Sequence, residues 1–546
     1  MSLLPFLAAS LGGGVLALLA RRSERVAGSV ALMALAASIG AAVLITPGET
    51  VAAGGATLAT TGYARVVLIL GAATGLGVVV VGMATSMARH LPAAILLGLG
   101  AAGVALSSAD PVVAIMAACA GSFVPLVVTL APPRSGGTTI VGAHQLRAVT
   151  IATALAVLAA AWTLRPLDVL AAEPAAAGLA LFALAGAVAI RWGAIPFHRW
   201  AARVADTAQG VGLPVALVWG SAVLAIVVLA HADATVGEIS GLAAERAVIV
   251  TVALATLLIG VAAAYLHDDL EHIVTYAIVA DAGVVLFAFA TLDPATWGPA
   301  RLWLLAFVAT RTAFAVWVAA VRGAFGVRRL RDLGGWARHS PLLAAALLVV
   351  AVATVGWPGL LAFDARSDII RMAAGSALGP VALIGTLAHI GYFARILAVG
   401  LGRRSPQVAA GPASRLRAVR RGATRSGEAL TALLEGNRAP IASAGTVALA
   451  LIALLAVSGG LAGPGTAAGG PPRAPAIPTP SVSPSQSPRE SAPPSAAPGS
   501  PAPSLEPSPS VSADPSPASA DPDLPPASDG VDPPSAPTSP VVSPST

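Results

Sequence analysis

Apolar runs of about twenty residues recur along most of the chain, and this recurrence constrains the fold more than any other feature. They lie at approximately 3–20, 27–46, 66–86, 91–107, 111–131, 148–164, 175–192, 213–230, 247–266, 273–291, 302–320, 341–373, 378–400 and 440–462. A helix needs roughly 20 apolar residues to cross a hydrocarbon core of about 30 Å. The reading is therefore an all-α, polytopic membrane bundle of about fourteen transmembrane helices. With 56% hydrophobic and only 11% charged residues, the composition lies far outside that of soluble domains. The first run lacks a basic leader and is followed at once by Arg21, Arg22 and Arg25, so it is read as a retained span rather than a signal peptide.

The net charge of +6 comes from 32 basic residues, all of them arginine. Their placement points to membrane topology and away from nucleic acid. If the N-terminus is outside, the cytoplasmic loops hold Arg21, Arg22, Arg25, Arg89, Arg134, Arg147, Arg199, Arg203, Arg322, Arg328, Arg329, Arg331, Arg338 and a cluster from Arg395 to Arg438. The opposite loops hold Arg65, Arg165, Arg246, Arg301 and Arg371. An even number of spans puts both termini outside a plasma membrane. From about Pro464 the chain turns to Pro, Ser and Ala, a tract that cannot bury a core and is expected to be a disordered extracytoplasmic tail.

Three arginines, Arg191, Arg311 and Arg366, fall at or inside apolar runs. A charge costs at least a few kcal/mol there and is paired, buried in the bundle or set in a watery path. Residues 341–373 would form a helix of about 50 Å at 1.5 Å per residue, too long for one straight span, and Gly356, Pro358 and Gly359 offer a break. Cys119, the single cysteine, excludes an intrachain disulfide. No phosphate loop or nucleotide fingerprint is present, and "GLGVVVVG" reads as a helix whose glycines pack against neighbours. The "HDDLEH" stretch reads as an acidic loop, because His267, Asp268, Asp269, Glu271 and His272 cannot all converge on a metal from about one helical turn. His198 and Trp200 read as interfacial anchors, Asp206 as a helix cap or partner of Arg203, and His389 and Arg395 as packing or snorkelling residues near a helix end.

The stretch "IRWGAIPFHRWAARVADTAQGVGLPV", residues 190–215, resembles a segment of the antiporter-like subunits of NADH-quinone oxidoreductase, most closely subunit N. Pro196, Phe197, His198, Trp200, Asp206, Pro214 and Val215 keep its order and spacing. "LHDDLEHIVTYAIVADAG", with Leu270, Tyr276 and Gly283, and "LRDLGGWARHSPLLAAALLVVAVATVGWPGLLAFDAR" are similar to two further family segments. The resemblance implies two inverted five-helix repeats, at about 91–230 and 247–400, each with an interrupted helix. Residues 1–90 would be three preceding spans, 401–439 a basic cytoplasmic loop and 440–462 the last span.

In that family protons are thought to follow a buried row of a glutamate and several lysines. This chain departs from the row at each position: Ala120 stands for the glutamate, Arg191 and Arg366 for two lysines, Leu224 for a third, and Asp281 for a histidine. Arginine stays protonated at physiological pH and cannot relay protons by titration. A codon bias explains arginine in place of lysine but not Ala120 or Leu224.

The expected function is that of a membrane-arm subunit of an ion-translocating redox complex, without a cofactor of its own and with lysine-based pumping lost. Its partners would be the bilayer and other membrane subunits. The alternatives are an Mrp-like cation/proton antiporter, kept open by Asp281, Asp364 and Asp368, and a non-transporting structural subunit. Asp281 and Arg311 lie at similar depth, about 15 Å, on neighbouring antiparallel helices, so they are expected to pair; Asp364 or Asp368 is the rival partner.

Overall fold

Helices begin where a short polar side chain can accept backbone N–H groups, and this rule places several starts in the chain. Ser23 accepts from Val26 N at 3.4 Å, Thr61 from Ala64 N at 3.1 Å, Asp110 from Val112 N at 2.8 Å and Asp293 from Ala295 N at 2.8 Å. Each satisfies a donor that the first turn leaves free. Proline, which has no N–H to lose, stands in the first turn of several others.

The computed structural model describes residues 2–53, 55–130, 136–207, 210–237, 239, 241–291, 293–409 and 438–461. The Pro/Ser-rich tract from Pro464, most of the basic 401–439 loop and Arg134 lie outside the described residues. The main helices are α1 Leu4–Arg22, α2 Glu24–Val43, α3 Gly62–Ala84, α4 Leu91–Ser107, α5 Pro111–Leu130, α6 Gly136–Trp162, α7 Pro174–Trp192, the short α8 Arg199–Thr207 and α9 Gly210–Thr235. There follow α10 Ala243–Leu266, α11 Leu270–Thr291, α12 Pro294–Phe325, α13 Pro341–Val355, α14 Leu361–Leu387, α15 His389–Leu401 and α16 Arg438–Ser458.

Among the described residues, eleven helices are long and apolar enough to cross a membrane, α14 and α15 counting as one. The remaining apolar helices, α4, α13 and the Pro111–Leu126 part of α5, have 17 residues or fewer and fall on segments that the sequence marks as spans. The chain is thus an all-α polytopic membrane protein. One small departure is an antiparallel hairpin, Thr50–Ala53 with Ala56–Ala59, which hydropathy over span-length windows passes over.

The two expected irregularities have distinct backbone causes. Helix α13 ends at Val355, and Gly356 follows at φ 74°, a left-handed conformation that glycine adopts without steric cost. The chain re-enters helix only at Leu361, and α14 breaks again at Gly375. In the first half α7 stops at Gly193 with φ 69°. Residues Pro214–Trp219 inside α9 wind as a π-helix, which shifts carbonyls out of the i→i−4 ladder.

Helices α11 and α12 form the centre, since 94% and 100% of their most apolar windows are buried, against 28% and 33% for α1 and α2 at the periphery. Small residues bring the backbones together, as is usual where lipid supplies no hydrophobic drive between helices. A Cβ on Gly260 would stand 2.7 Å from Ala280 Cα, and one on Gly283 2.5 Å from the Ala253 carbonyl. The glycines of "GLGVVVVG" likewise pack closely, Gly77 against Leu449.

At one end of the bundle the 266–272 turn is tied to the segment after α12. Leu330 N donates to Asp268 O at 2.6 Å, and Asp269 pairs with Arg328. Arg328 also donates to the Ala205 carbonyl at 2.8 Å, and Asp206 Oδ1 lies 3.4 Å from His272 Nε2. Asp206 thus faces His272 rather than capping a helix start or pairing with Arg203, because it sits in the last turn of α8. Burial would raise the Asp269 carboxyl, but the hydrogen bond from His272 and the charge of Arg328 outweigh it and hold it at about 2.

Two outcomes are expected. Gly283→Leu should lower the thermal midpoint of the detergent-purified chain markedly, since backbone rather than a flexible side chain blocks the added atoms. Asp269, its pKa depressed on folding, contributes stability that is fully present above about pH 4 and lost as pH falls through about 2. Asp269→Asn should lower the midpoint at neutral pH and flatten that acid limb in a pH series of melts.

Candidate functional site

Helix α11 carries Asp281 and α12 carries Arg311, and the hairpin between them brings the two side chains together. Arg311 Nε donates to Asp281 Oδ2, and both residues are buried. Arg311 Nη1 donates to Tyr392 Oη at 3.1 Å. His389, on the same face of α15 as Tyr392, places Nε2 3.8 Å from Asp281 Oδ1 while its Nδ1 lies 2.8 Å from the Thr386 carbonyl. A single carboxylate is therefore held by one guanidinium and flanked by one imidazole. Breaking such a pair leaves an uncompensated charge in an apolar medium.

Arg366 sits one turn into α14, across the break from α13. It donates to the carbonyls of Thr354 at 3.3 Å and Val355 at 2.5 Å, the last residues of α13. These carbonyls have no intrahelical partner and carry the negative end of the helix dipole, so a guanidinium satisfies both requirements at once. Phe363 lies under the same guanidinium at 5.6 Å.

Arg191, fully buried in the last turn of α7, plays the same part in the other half. Its Nη1 donates to the Ala216 carbonyl of the π-helix at 3.2 Å and to Ser221 Oγ at 3.0 Å. Trp192 Nε1 binds the Ser221 carbonyl and Trp200 Nε1 the Ile190 carbonyl, each at 2.8 Å, which fixes the irregular turn. Among the described residues no carboxylate forms an ion pair with Arg191 or Arg366. Leu224 is buried and Ala120 exposed, and neither offers a titratable group.

Not every charge singled out from the sequence joins this centre. Asp364 is exposed, and Asp368 pairs with Arg371 at 2.7 Å on the half-exposed face of α14. Helical phase turns both away from Arg311. His198 is half-buried, its ring 6.3 Å from that of Tyr276. Arg301, counted among the loop residues, is instead buried within α12 over the Trp297 ring at 4.1 Å, because the helix starts earlier, at Pro294.

His389 and Tyr392 were missed as members of the network. His389 reads as a packing residue near a helix end, yet it is 1% exposed and beside Asp281. Their spacing in "LAHIGYFARIL" puts them on one face, a signal that shows only once Asp281 is known to face them. The "HDDLEH" acids are each held by arginine: Asp268 by Arg331 and Arg395, Asp269 by Arg328, and Glu271 by Arg322 at 2.7 Å.

The pair should show non-additivity in thermal melts of the purified chain. Asp281→Leu and Arg311→Leu should each destabilise by about 3–5 kcal/mol. The double Asp281→Leu, Arg311→Leu variant should lose clearly less than the sum of the two.

The transmembrane family described as NADH:quinone oxidoreductase/Mrp antiporter matches residues 150–391. Subunit N of NADH-quinone oxidoreductase from Halorhodospira halophila is 27% identical over 224 residues, 40% of this chain and 46% of that one. A subunit N from Streptomyces griseus is 31% identical over 198 residues, 36% and 35% of the two chains. The matched region thus spans less than half the length of these relatives. In fold, the chain is similar to one in the Mrp complex from Dietzia sp. DQ12-45-1b, with TM-score 0.69 and 19% identity over 86% of this chain and 97% of that one. It is also similar to one in respiratory complex I from Thermus thermophilus, with TM-score 0.61 and 19% identity over 82% and 97%. The chain thus shares the fold of these membrane chains and, over part of its length, resembles subunit N of NADH-quinone oxidoreductase in sequence.

Proposed function

We propose that the chain is a membrane-arm subunit of an NADH-quinone oxidoreductase or a related ion-translocating redox complex, and that it has lost ordinary lysine-based proton pumping. The observation that carries the second part is the bonding of Arg191 and Arg366. Both donate to carbonyls at helix interruptions, and neither can give up a proton at physiological pH. Leu224 and Ala120 add no proton site. The chain then serves as a scaffold of antiporter shape whose cations are fixed rather than exchangeable.

The same reading places fourteen spans in a plasma membrane, with inverted repeats at about 91–230 and 247–400 and both termini outside. The arginine asymmetry across successive loops supports that orientation. Other membrane subunits are the expected partners, since the similar solved chains come from multi-subunit complexes.

The Mrp-like antiporter reading needs a carboxylate free to exchange a cation. Asp281 is engaged by Arg311, and Asp368 by Arg371. With Asp364 exposed and away from this buried centre, these pairings favour the first reading over the second.

The chain purified in mild detergent should bring with it peripheral dehydrogenase subunits; recovery of other Mrp-type chains in their place would favour the antiporter. Reconstituted alone in liposomes, it should show proton uptake no faster than empty vesicles under an imposed pH gradient. Robust uptake abolished by Asp281→Asn or Asp364→Asn would overturn the loss of pumping.

A further inference from the structure

Beside the Asp281–Arg311 pair lies a small polar cavity of about 20 Å³, lined among others by Asp281, Arg311, Thr354, Phe363 and Arg366. A single water needs roughly 10–15 Å³ on the same measure, so the cavity admits one small species. The charges around it do not balance. Arg311 and Arg366 are both cations, Asp281 is the one carboxylate among the lining residues, and Arg311 already holds it. Arg366 bonds directly only to two carbonyl oxygens and an aromatic face, and shares the single Asp281 charge with Arg311, so one positive charge stays uncompensated.

Two buried donors facing this space have no protein partner: Arg366 Nε and Thr354 Oγ1. Their residues are 5% and 8% exposed. Thr310, another lining residue, is by contrast satisfied by the Ala306 carbonyl at 2.8 Å. An unsatisfied guanidinium N–H in an apolar medium is costly, and a hydroxyl beside it accentuates the demand for an acceptor. Water meets the hydrogen bonds but leaves the surplus positive charge. A monatomic anion meets both.

We propose that this cavity is a binding site for one chloride-sized halide, held by Arg366 Nε and Thr354 Oγ1 and completing the charge balance between α11, α12 and the broken α13–α14 pair. A lysine at position 366 could shed its proton when buried, whereas arginine cannot, so the fixed cation creates a standing need for an anion. The halide would stabilise the folded chain by mass action and would hold the break between α13 and α14 in one conformation. This site is independent of whether the chain moves protons.

The test uses the full chain in nanodiscs, melted in sodium chloride, sodium bromide or sodium gluconate at equal ionic strength. The midpoint should be higher by about 2 °C or more in either halide than in gluconate. Thr354→Val, which removes only the hydroxyl, should reduce that increment, and Arg366→Leu should abolish it. Equal midpoints in all three salts would overturn the proposal, as would a full halide increment in both variants, which would place the anion at surface arginines. Should Arg366→Leu not fold, anomalous scattering from bromide-grown crystals of the unsubstituted protein decides. A bromide peak within hydrogen-bonding reach of Arg366 Nε is expected, and a water-like peak without anomalous signal shows water only and removes the site.

Discussion

Carbonyl oxygens left free at helix ends need donors, above all where the surroundings are hydrocarbon, and this chain supplies them repeatedly with arginine, both inside the bundle and at its ends. Arg366 serves the end of α13, and Arg191 the π-wound part of α9. Arg395 donates to the Tyr265 and His267 carbonyls after α10, each at 2.6 Å, and Arg246 to Thr291 at the end of α11. Arg328 does the same at α8. A planar guanidinium can reach two carbonyls at once and remains weakly hydrated, which suits it to this work better than an ammonium. The complete absence of lysine is in keeping with that architecture.

The interrupted helices depend on these bonds, and the buried charges depend on the interruptions. Gly356 ends α13, and the last carbonyls of that helix, those of Thr354 and Val355, are left without intrahelical donors. Arg366 is drawn in to meet them and brings a full charge to the side of Arg311. That second cation makes the Asp281 carboxylate, Tyr392 and His389 parts of one electrostatic unit rather than separate packing choices. In the first half no acid among the described residues accompanies Arg191; Ser221 and the Trp200 ring at 5.6 Å stand there instead. The two halves thus share a way of satisfying backbone but differ in charge balance.

Much of this was legible from local chemistry. Apolar run length marked the helices, and Gly356 with Pro358 marked the break in an overlong segment, because a hydrocarbon medium and the lack of a proline N–H act on any chain alike. Equal depth on consecutive antiparallel helices made contact between Asp281 and Arg311 possible, and the fold turned the two toward each other. The resemblance around residues 190–215 pointed to the same subunit N relatives that the sequence comparison finds, and Trp200 of that stretch ties the turn to the end of α7 by its bond to the Ile190 carbonyl.

What the amino-acid order alone determined was thus which segments form long apolar helices, where one of them must break, and that arginine there could not titrate. Tertiary structure decided which way each charge faces. Asp364, Asp368 and Arg366 lie within five residues of one another, yet only Arg366 turns into the bundle. Their order does not distinguish them, because facing depends on the rotation of α14 about its axis, and packing against α11 and α12 sets that rotation. His389 and Tyr392 joined the Asp281 network for the same reason: their partners lie 81 to 108 residues away in sequence, and only the folded bundle brings them within reach.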